Sequence, residues 1–313
     1  MKRFSSIAAL TAFLLTSAAC GSDSSSSSDT TTPTPTTEVA PTTAPTSTTE
    51  VAPGAPQAII SLSPTHTEML FAIGAADQII AIDDQSNYPA EALDKQHDLS
   101  GFEPNVEAIA ALQPDLVVIA DDTKDLSGQL GKLGIAVWVG LAPATFDDVY
   151  AQIEQLGATT GHIGEAAELV GQMQTDIADA IAAAPQPTDP VSFYHELDPT
   201  LYSVTSSTFI GQVYGLFGLV NVADGVEDGN DYPQLNAEYI ISSNPDLIFL
   251  ADSKCCGESP QTVVARDGWA ATNAVTNGNV IPIDDDIASR WGPRLVDFVK
   301  AVSEAVAKVP AGT

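Results

Sequence analysis

Residues 236–252 read NAEYIISSNPDLIFLAD, and residues 105–121 read NVEAIAALQPDLVVIAD. Both copies begin with Asn, a preferred N-cap residue, and continue into a short helical pattern. In each copy a Pro-Asp pair then ends the helix and leads into an apolar run that reads as a buried strand. A helix-turn-strand unit that occurs twice in one chain predicts two similar α/β halves.

Apolar strands and helices alternate around both copies. In the first half the apolar runs are AIISLSP, QIIAID, DLVVIA and AVWVG, and in the second they are VSFYHEL, DLIFLAD and NVIPID. Continuous apolar strands separated by helices are typical of parallel sheets that are covered on both faces. Residues 145–184 have helical spacing throughout, with a break predicted at residues 161–164.

We therefore predict an α/β protein with two Rossmann-like lobes, mainly parallel sheets and a long, rigid interdomain helix. The predicted parts are a lipoprotein signal peptide (residues 1–20), a disordered Ser/Thr/Pro tether (21–56), an N-terminal α/β lobe (57–144), an interdomain helical segment (145–187) and a C-terminal α/β lobe (188–313). Ser, Thr and Pro fill 24 of the 36 tether positions, a composition that cannot bury a core.

The first twenty residues have the pattern of a targeting segment. Lys2 and Arg3 precede a short apolar run, which ends in small residues before Cys20. This arrangement looks like a bacterial lipobox, so we expect Cys20 to carry a lipid and the protein to be extracytoplasmic and anchored to the cell membrane. Ordinary secretion with cleavage nearby is the alternative.

Acidic residues dominate the charge. The chain has 41 Asp and Glu against 11 Lys and Arg, which gives a formal net charge of −30. Such a surface repels polyanions, so the composition opposes binding to nucleic acid. No nucleophile elbow, His-Glu-x-x-His helix or phosphate loop occurs, so we expect no enzyme activity.

Cys255 and Cys256 are adjacent in a chain that we expect to enter an oxidising compartment. Both are candidates for a vicinal disulfide, although neighbouring Cα atoms lie closer together than is usual for a disulfide and the ring is strained. Two free thiols and metal ligation are the alternatives, and a Cys-Cys pair alone lacks the spacing of a zinc site.

The two repeats place an acid at the same position of each helix. Glu107 and Glu238 fall at the second helical residue, where the helix dipole favours a carboxylate. That local explanation suffices for each residue alone. It does not explain why both halves carry the acid, and two such carboxylates would suit a partner with two matching basic pockets.

Five stretches, taken in order, resemble the ABC-importer binding proteins for vitamin B12 or ferric siderophores. They are IISLSPTHTEMLFAIGA, SNYPAEA, LSGFEPNVEAIAALQPDLVVIA, NAEYIISSNPDLIFLA and ASRWGPRLVDFVKAV. The resemblance implies a monomer that holds a small metal chelate between two lobes and has no cofactor or resident metal of its own. It also implies that Glu107 and Glu238 dock on an ABC permease dimer, which works with a cytoplasmic ATPase.

The ligand is expected at loops beyond the carboxyl ends of the strands. The predicted ligand-binding residues are Ser63, Thr65, His66, Asn87, Tyr88, Phe102, Asp121, His195, Glu196, Ser207, Asp252, Lys254, Arg290 and Trp291. The resemblance assigns Tyr88 and Phe102 to the face of the ligand and points Arg290 into the cleft. His66 or His195 could also ligate cobalt or iron, whereas His97 and His162 are predicted to be exposed.

An acidic chain with few arginines suits a ligand of low charge. Catecholate complexes are strongly anionic, whereas cobalamin and ferric hydroxamates carry little net charge. Between these two we favour cobalamin or another corrinoid, because SNYP and the overall pattern resemble vitamin B12 binders, with ferric hydroxamate siderophores or haem as alternatives. A receptor for a bare metal ion and an exported enzyme are less favoured classes, because the four His residues are scattered and no catalytic motif is present.

Overall fold

The computed structural model describes residues 54–185 and 187–309. The predicted signal peptide, Cys20 and nearly all of the predicted tether lie outside the described residues. No helix within the described part of the chain has the length and hydropathy needed to cross a bilayer.

The N-terminal lobe is built on five strands. These are β1 (Ile59–Leu62), β2 (Ile79–Asp83), β3 (Gln96–Leu99), β4 (Leu116–Ile119) and β5 (Ala136–Val139). They pair in parallel in the order β3-β2-β1-β4-β5. Three helices join them, namely α1 (Pro64–Ala72), α2 (Val106–Ala111) and α3 (Leu126–Gly131). All residues of β1 and β4 are buried, as expected for continuous apolar strands.

Two longer helices follow β5, namely α4 (Phe146–Thr160) and α5 (Ile163–Ala183). The helix α4 ends at Gly161, whose φ of +86° is in the region that favours glycine. The predicted break in this segment is therefore confirmed. His162 is buried against Gly74, with its Nδ1 3.2 Å from the carbonyl oxygen of Thr160. The expectation of an exposed His162 was wrong, because the elbow between α4 and α5 packs onto the N-terminal lobe.

The C-terminal lobe is built on four strands. These are β6 (Ser192–Glu196), β7 (Val220–Asn221), β8 (Leu247–Leu250) and β9 (Val280–Pro282). They pair in parallel in the order β7-β6-β8-β9. The helices are α6 (Phe209–Gly215), α7 (Ala237–Ser243), α8 (Ser253–Cys256), α9 (Pro260–Ala265), α10 (Asn273–Thr276), α11 (Asp285–Ser289) and α12 (Leu295–Val306). Single 3-10 turns lie at Ala75–Gln78, Ala90–Asp94, Thr123–Asp125 and Trp269–Ala271.

The repeated stretches form the same unit in the two lobes, α2 followed by β4 and α7 followed by β8. The side chain of Asn105 accepts hydrogen bonds from the first turn of α2, and Asn236 does the same for α7. Gln113 and Asn244, which precede the two prolines, have left-handed φ values of +54° and +49°. The predicted helix-turn-strand unit is thus present twice.

One continuous apolar core joins the lobes through α5. It contains Met69 from the N-terminal lobe, Val170 and Ile177 from α5, and Phe193 and Val299 from the C-terminal lobe. Burying a large apolar side chain contributes roughly 1.5–3 kcal/mol. Separating α5 from either lobe would expose many such side chains, so the helix connects the two lobes rigidly.

Candidate functional site

The carboxyl ends of β1, β2 and β4 surround a small cavity in the N-terminal lobe. Its volume is about 140 Å³. Three of the predicted ligand residues line it, namely Ser63, Phe102 and Asp121. Phe102 is 77% exposed, so its ring stands at the mouth of the cavity with one face free. Asp121 accepts a hydrogen bond from the backbone of Thr123 (2.8 Å), which fixes the turn after β4.

A second cavity, of about 130 Å³, lies between the two lobes and is called the interlobe cavity. It is lined mainly by Pro143, Phe209, Tyr232, Arg290 and Trp291. Arg290 and Trp291 were predicted, whereas Phe209 and Tyr232 were not. The sequence did not indicate that Phe209 lines a cavity, because it looks like an ordinary apolar residue at the first position of α6. Tyr232 is half exposed and presents an unpacked aromatic face.

A polar seam lies between the lobes. It consists of Glu68, Asn87, Asp286, Arg290 and Arg294. Glu68 is buried on α1, and its carboxylate accepts hydrogen bonds from Arg294 Nε (2.9 Å) and Nη2 (2.6 Å). Arg290 Nη1 also donates to Glu68 Oε1, at 2.9 Å. Two guanidinium groups from the C-terminal part of the chain therefore converge on one carboxylate of the N-terminal lobe.

The guanidinium of Arg290 has further partners. Its Nη2 donates to Asp286 Oδ1 (2.7 Å) and to the carbonyl oxygen of Gln85 (3.2 Å), and its Nη1 donates to Asn87 Oδ1 (2.9 Å). Its side chain is only 10% exposed. Sequence similarity pointed Arg290 into the cleft toward a ligand. In the structure Arg290 lines the interlobe cavity, and its charge is bound by carboxylates of the seam.

Asn87 makes a further contact within the seam, and Tyr88 and Lys254 contact the seam from outside. Asn87 Nδ2 donates to Asp286 Oδ2 at 3.0 Å, and the ammonium of Lys254 forms an ion pair with the same carboxylate. The Tyr88 ring lies 4.2 Å from the guanidinium carbon of Arg294 and is 46% exposed. Tyr88 lines an outer groove of about 550 Å³ together with Phe71 and Pro293. It does not line either of the two smaller cavities.

His66 is completely buried, and both of its ring nitrogens have partners. Nδ1 lies 2.7 Å from Ser63 Oγ, and Nε2 lies 3.0 Å from Gln152 Oε1. Burial lowers the pKa of His66 to about 4, so the ring is neutral at physiological pH. Trp291 Nε1 donates to the same Gln152 oxygen at 3.2 Å. This geometry argues against a metal-ligand role for His66 and gives it a role in supporting Trp291.

His195 lies in the core of the C-terminal lobe. It is completely buried on β6, and its Nδ1 lies 2.6 Å from the hydroxyl oxygen of Tyr214. Burial lowers the pKa of His195 to about 3. His195 is not among the residues that line either cavity, and its role as a ligand residue stays a prediction.

Glu196 and Asp252 form a buried carboxyl pair at the ends of β6 and β8. Glu196 accepts hydrogen bonds from both terminal nitrogens of Arg266, at 2.6 and 2.5 Å. Among the described residues, neither Asp252 carboxyl oxygen has a hydrogen-bonding partner, although the side chain is fully buried. Burial, followed by the charge of Glu196, raises the pKa of Asp252 to about 7. Glu196 is thus bound by Arg266, whereas Asp252 is a buried acid that holds its proton more tightly than a free carboxyl does.

The remaining predicted ligand residues differ in accessibility. Thr65 is buried in the first turn of α1, whereas Ser207 is exposed just before α6. Cys255 and Cys256 are free thiols on the one-turn helix α8. Adjacent helical side chains point about 100° apart, so a disulfide between them would require α8 to unwind. The vicinal disulfide stays a prediction.

Glu107 and Glu238 are exposed at the N-termini of α2 and α7. Each helix begins near the carboxyl edge of its own sheet, because each leads into a parallel strand. The two carboxylates are therefore on the lobe ends that carry the loops after the strands. Among the described residues, no group of three or more His, Cys, Asp or Glu side chains is arranged to hold a metal ion.

Comparison with known proteins gives one consistent family. A family model described as periplasmic binding protein matches residues 59–287. The uncharacterized ABC transporter substrate-binding lipoprotein YvrC of Bacillus subtilis is 30% identical over 259 residues, which is 80% of each chain. A cobalamin-binding protein of Halobacterium salinarum is 28% identical over 259 residues, covering 80% of this chain and 69% of that protein.

Solved structures share the fold. The periplasmic heme-binding protein RhuT from Roseiflexus sp. RS-1, in its apo form, aligns with a TM-score of 0.71. The alignment covers 82% of this chain and 99% of RhuT, at 21% sequence identity. Similarity at this level establishes the fold, and it agrees with the predicted architecture of two α/β lobes.

Proposed function

Because the chain belongs to the periplasmic binding protein family, we propose that it is the solute-binding component of an ABC importer. It holds a metal chelate between its two lobes and delivers the chelate to a permease. The core that runs through α5 supports this proposal, because it restricts the lobes to small movements around the ligand. A binding role accounts for the site without a catalytic group, so we propose no enzyme activity.

The preferred ligand is a chelate of low net charge, and we favour a corrinoid. The observation that carries this choice is the neutralised guanidinium of Arg290, which is held by Glu68 and Asp286. A strongly anionic ligand would have to compete with these carboxylates. The aromatic rings of Phe102, Tyr232 and Trp291 offer flat apolar surface that suits a corrin ring. The similarity to the Halobacterium cobalamin-binding protein supports the same choice.

The ligand sits across the mouths of both cavities in this proposal. Each cavity, at 130–140 Å³, is smaller than the roughly 300–1,000 Å³ usual for ligand pockets. A corrinoid therefore needs the exposed rings of Phe102 and Tyr232 to move apart and then close on its faces. The wall made by Trp291 is held by Gln152 and stays in place.

The chain reaches its permease through both lobes in the same proposal. Among the described residues, the carboxylates of Glu107 and Glu238 form no hydrogen bond or ion pair, and they occupy equivalent helix positions. They are suited to two basic pockets on a permease dimer that is driven by a cytoplasmic ATPase. A lipid on Cys20 would keep the protein at the membrane surface, and the similarity to the lipoprotein YvrC supports this anchor.

Ligand retention tests the proposal. The purified chain is mixed separately with cyanocobalamin, cobinamide, ferrichrome, haemin and a ferric tris-catecholate, desalted, and examined by visible spectroscopy and mass spectrometry. We expect a corrinoid to be retained and recovered unchanged. Retention of ferrichrome or haemin alone would transfer the function to that ligand class. Retention of none, or chemical conversion of a retained ligand, would contradict a chelate-binding role.

A further inference from the structure

Glu68 is a buried acid between the polar and the apolar part of α1. It lies on α1 among buried residues, next to Met69 and Leu70, and is itself only 2% exposed. An ionised carboxylate in such a place has a large desolvation cost unless cations are bound to it. Here Arg290 and Arg294 supply three hydrogen bonds of 2.6–2.9 Å. Glu68 is thus placed where its charge acts on these two arginines.

The charges around Glu68 balance. Arg290 is shared between Glu68 and Asp286, and Arg294 is bound by Glu68 and covered by the Tyr88 ring. Lys254 pairs with both Asp286 and Asp284, so this group contains three cations and three carboxylates. Each cation of this group therefore has a carboxylate within salt-bridge distance, and the group as a whole offers little net positive charge to the neighbouring interlobe cavity.

Arg290 borders both the seam and the interlobe cavity. Without Glu68, its Nη1 would lose the buried carboxylate and keep only the neutral oxygen of Asn87. The guanidinium is planar and presents several donors, so a released Arg290 is well suited to an anionic oxygen of a ligand. In the described part of the chain, two protein carboxylates occupy this guanidinium and oppose that role.

We propose that Glu68 determines ligand charge: by binding Arg290, which lines the interlobe cavity, it keeps that cavity neutral, so the protein accepts neutral chelates and rejects anionic ones. This inference rests on the proposed chelate-binding function. It assigns to Glu68 a role in specificity without contact to the ligand, and it makes Arg290 a positioning residue that joins the lobes.

The test compares Glu68→Gln with the wild-type chain. Gln has nearly the same shape but no charge, so it releases part of the guanidinium charge. We expect affinity for a ferric tris-catecholate to rise at least about tenfold, the scale of one charge-assisted hydrogen bond. The gain should shrink as salt is added, because it is electrostatic. Affinity for cyanocobalamin or ferrichrome should change by less than about threefold, since no ligand contact is removed.

Glu258→Gln is the matched control. It removes one carboxylate from Arg266, which remains bound to Glu196 and does not line the interlobe cavity. The change in net charge is identical, so any effect of overall charge appears equally in both variants. Equal catecholate affinity in the two variants would overturn the proposal.

If Glu68→Gln does not fold, the double variant Glu68→Gln with Arg294→Gln is tested in its place. This pair removes one acid and one base, so only Arg290 is left with a released donor. Circular dichroism verifies folding before titration. A folded double variant that still rejects the catecholate overturns the proposal. If the wild type binds no neutral chelate, the proposed function fails. An increase in catecholate affinity in the variants would still support the role of Glu68 in selecting ligand charge.

Discussion

Asp115 and Asp246 perform the same structural task in the two lobes. Asp115 Oδ2 accepts hydrogen bonds from the backbone nitrogens of Gln57 (2.9 Å) and Ala58 (3.1 Å), just before β1. Asp246 Oδ2 accepts one from the backbone nitrogen of Ser192 (2.9 Å), at the start of β6. The Pro-Asp pair of each repeat thus ties the beginning of one strand to the beginning of its parallel neighbour.

This relationship predicts unequal costs for two matched substitutions. Asp246 also accepts hydrogen bonds from Ser192 Oγ and Asn273 Nδ2, whereas Asp115 has only its two backbone donors and is more exposed. Hydrogen bonds to charged groups contribute about 1.5–3 kcal/mol when well ordered and less at the surface. We expect Asp246→Ala to lower the urea midpoint more than Asp115→Ala does. The reverse order would contradict a stabilising role for the additional hydrogen bonds of Asp246.

Asp252 predicts a dependence of stability on pH. Its pKa is raised to about 7 in the folded protein, so the folded state holds a proton that the unfolded state releases near pH 4. That stabilisation is complete below the unfolded pKa and is lost as the pH rises through about 7. Asp252→Asn resembles the protonated acid. Relative to wild type, it should therefore become more stable as the pH increases from about 4 to 8.

Thermal unfolding at several pH values measures this difference. Asp98→Asn serves as the control, because Asp98 is exposed on the edge strand β3 and should leave the pH profile unchanged. A stability difference between wild type and Asp252→Asn that stays constant across the range would refute the raised pKa of Asp252.

We expect a substitution of His66 to lower the stability of the protein without changing how a ligand metal is coordinated. Its two ring nitrogens are bound to Ser63 and Gln152, so His66→Gln should lower the free energy of unfolding by about 1–3 kcal/mol. The visible spectrum of a bound corrinoid should not change, because the ring does not reach the metal. His97→Gln, an exposed change, provides the reference for stability. An altered spectrum with normal stability would restore His66 as a metal ligand.

Glu107 and Glu238 predict a variant that binds ligand but does not support uptake. Charge reversal in Glu107→Lys with Glu238→Lys places cations where the permease is expected to be basic, so transport of labelled cobalamin in cells should be abolished. Equilibrium affinity of the purified protein should be unchanged. Reversal of Glu91 and Glu227, also exposed and one in each lobe, is the control. Normal uptake by the first double variant would place docking elsewhere.

The fold follows from sequence where strands are continuous and apolar. That pattern located β1, β4, β6 and β8, and the two repeats fixed their neighbouring helices. Two edge strands were missed for physical reasons. Three of the four residues of β3 are exposed and polar in character, and β7 has only two residues, so neither carries a periodic apolar signal.

The candidate site was harder to predict because its partners are distant in the chain. Arg290 and Glu68 are 222 residues apart, and no local pattern shows that one neutralises the other. A usable signal existed nonetheless. Glu68 directly precedes the apolar run MLFAI, and two of the few arginines follow in SRWGPR, so a buried ion pair was a reasonable hypothesis.

The position of the metal tests the central claim most directly. Crystals of the protein grown with cyanocobalamin can be measured at the cobalt absorption edge, and an anomalous difference map then locates the cobalt atom. We predict one peak between the lobes, beside Phe102, Tyr232 and Trp291. A peak in the outer groove beside Tyr88 and Phe71, or no peak at full ligand concentration, would contradict capture of a corrinoid between the lobes.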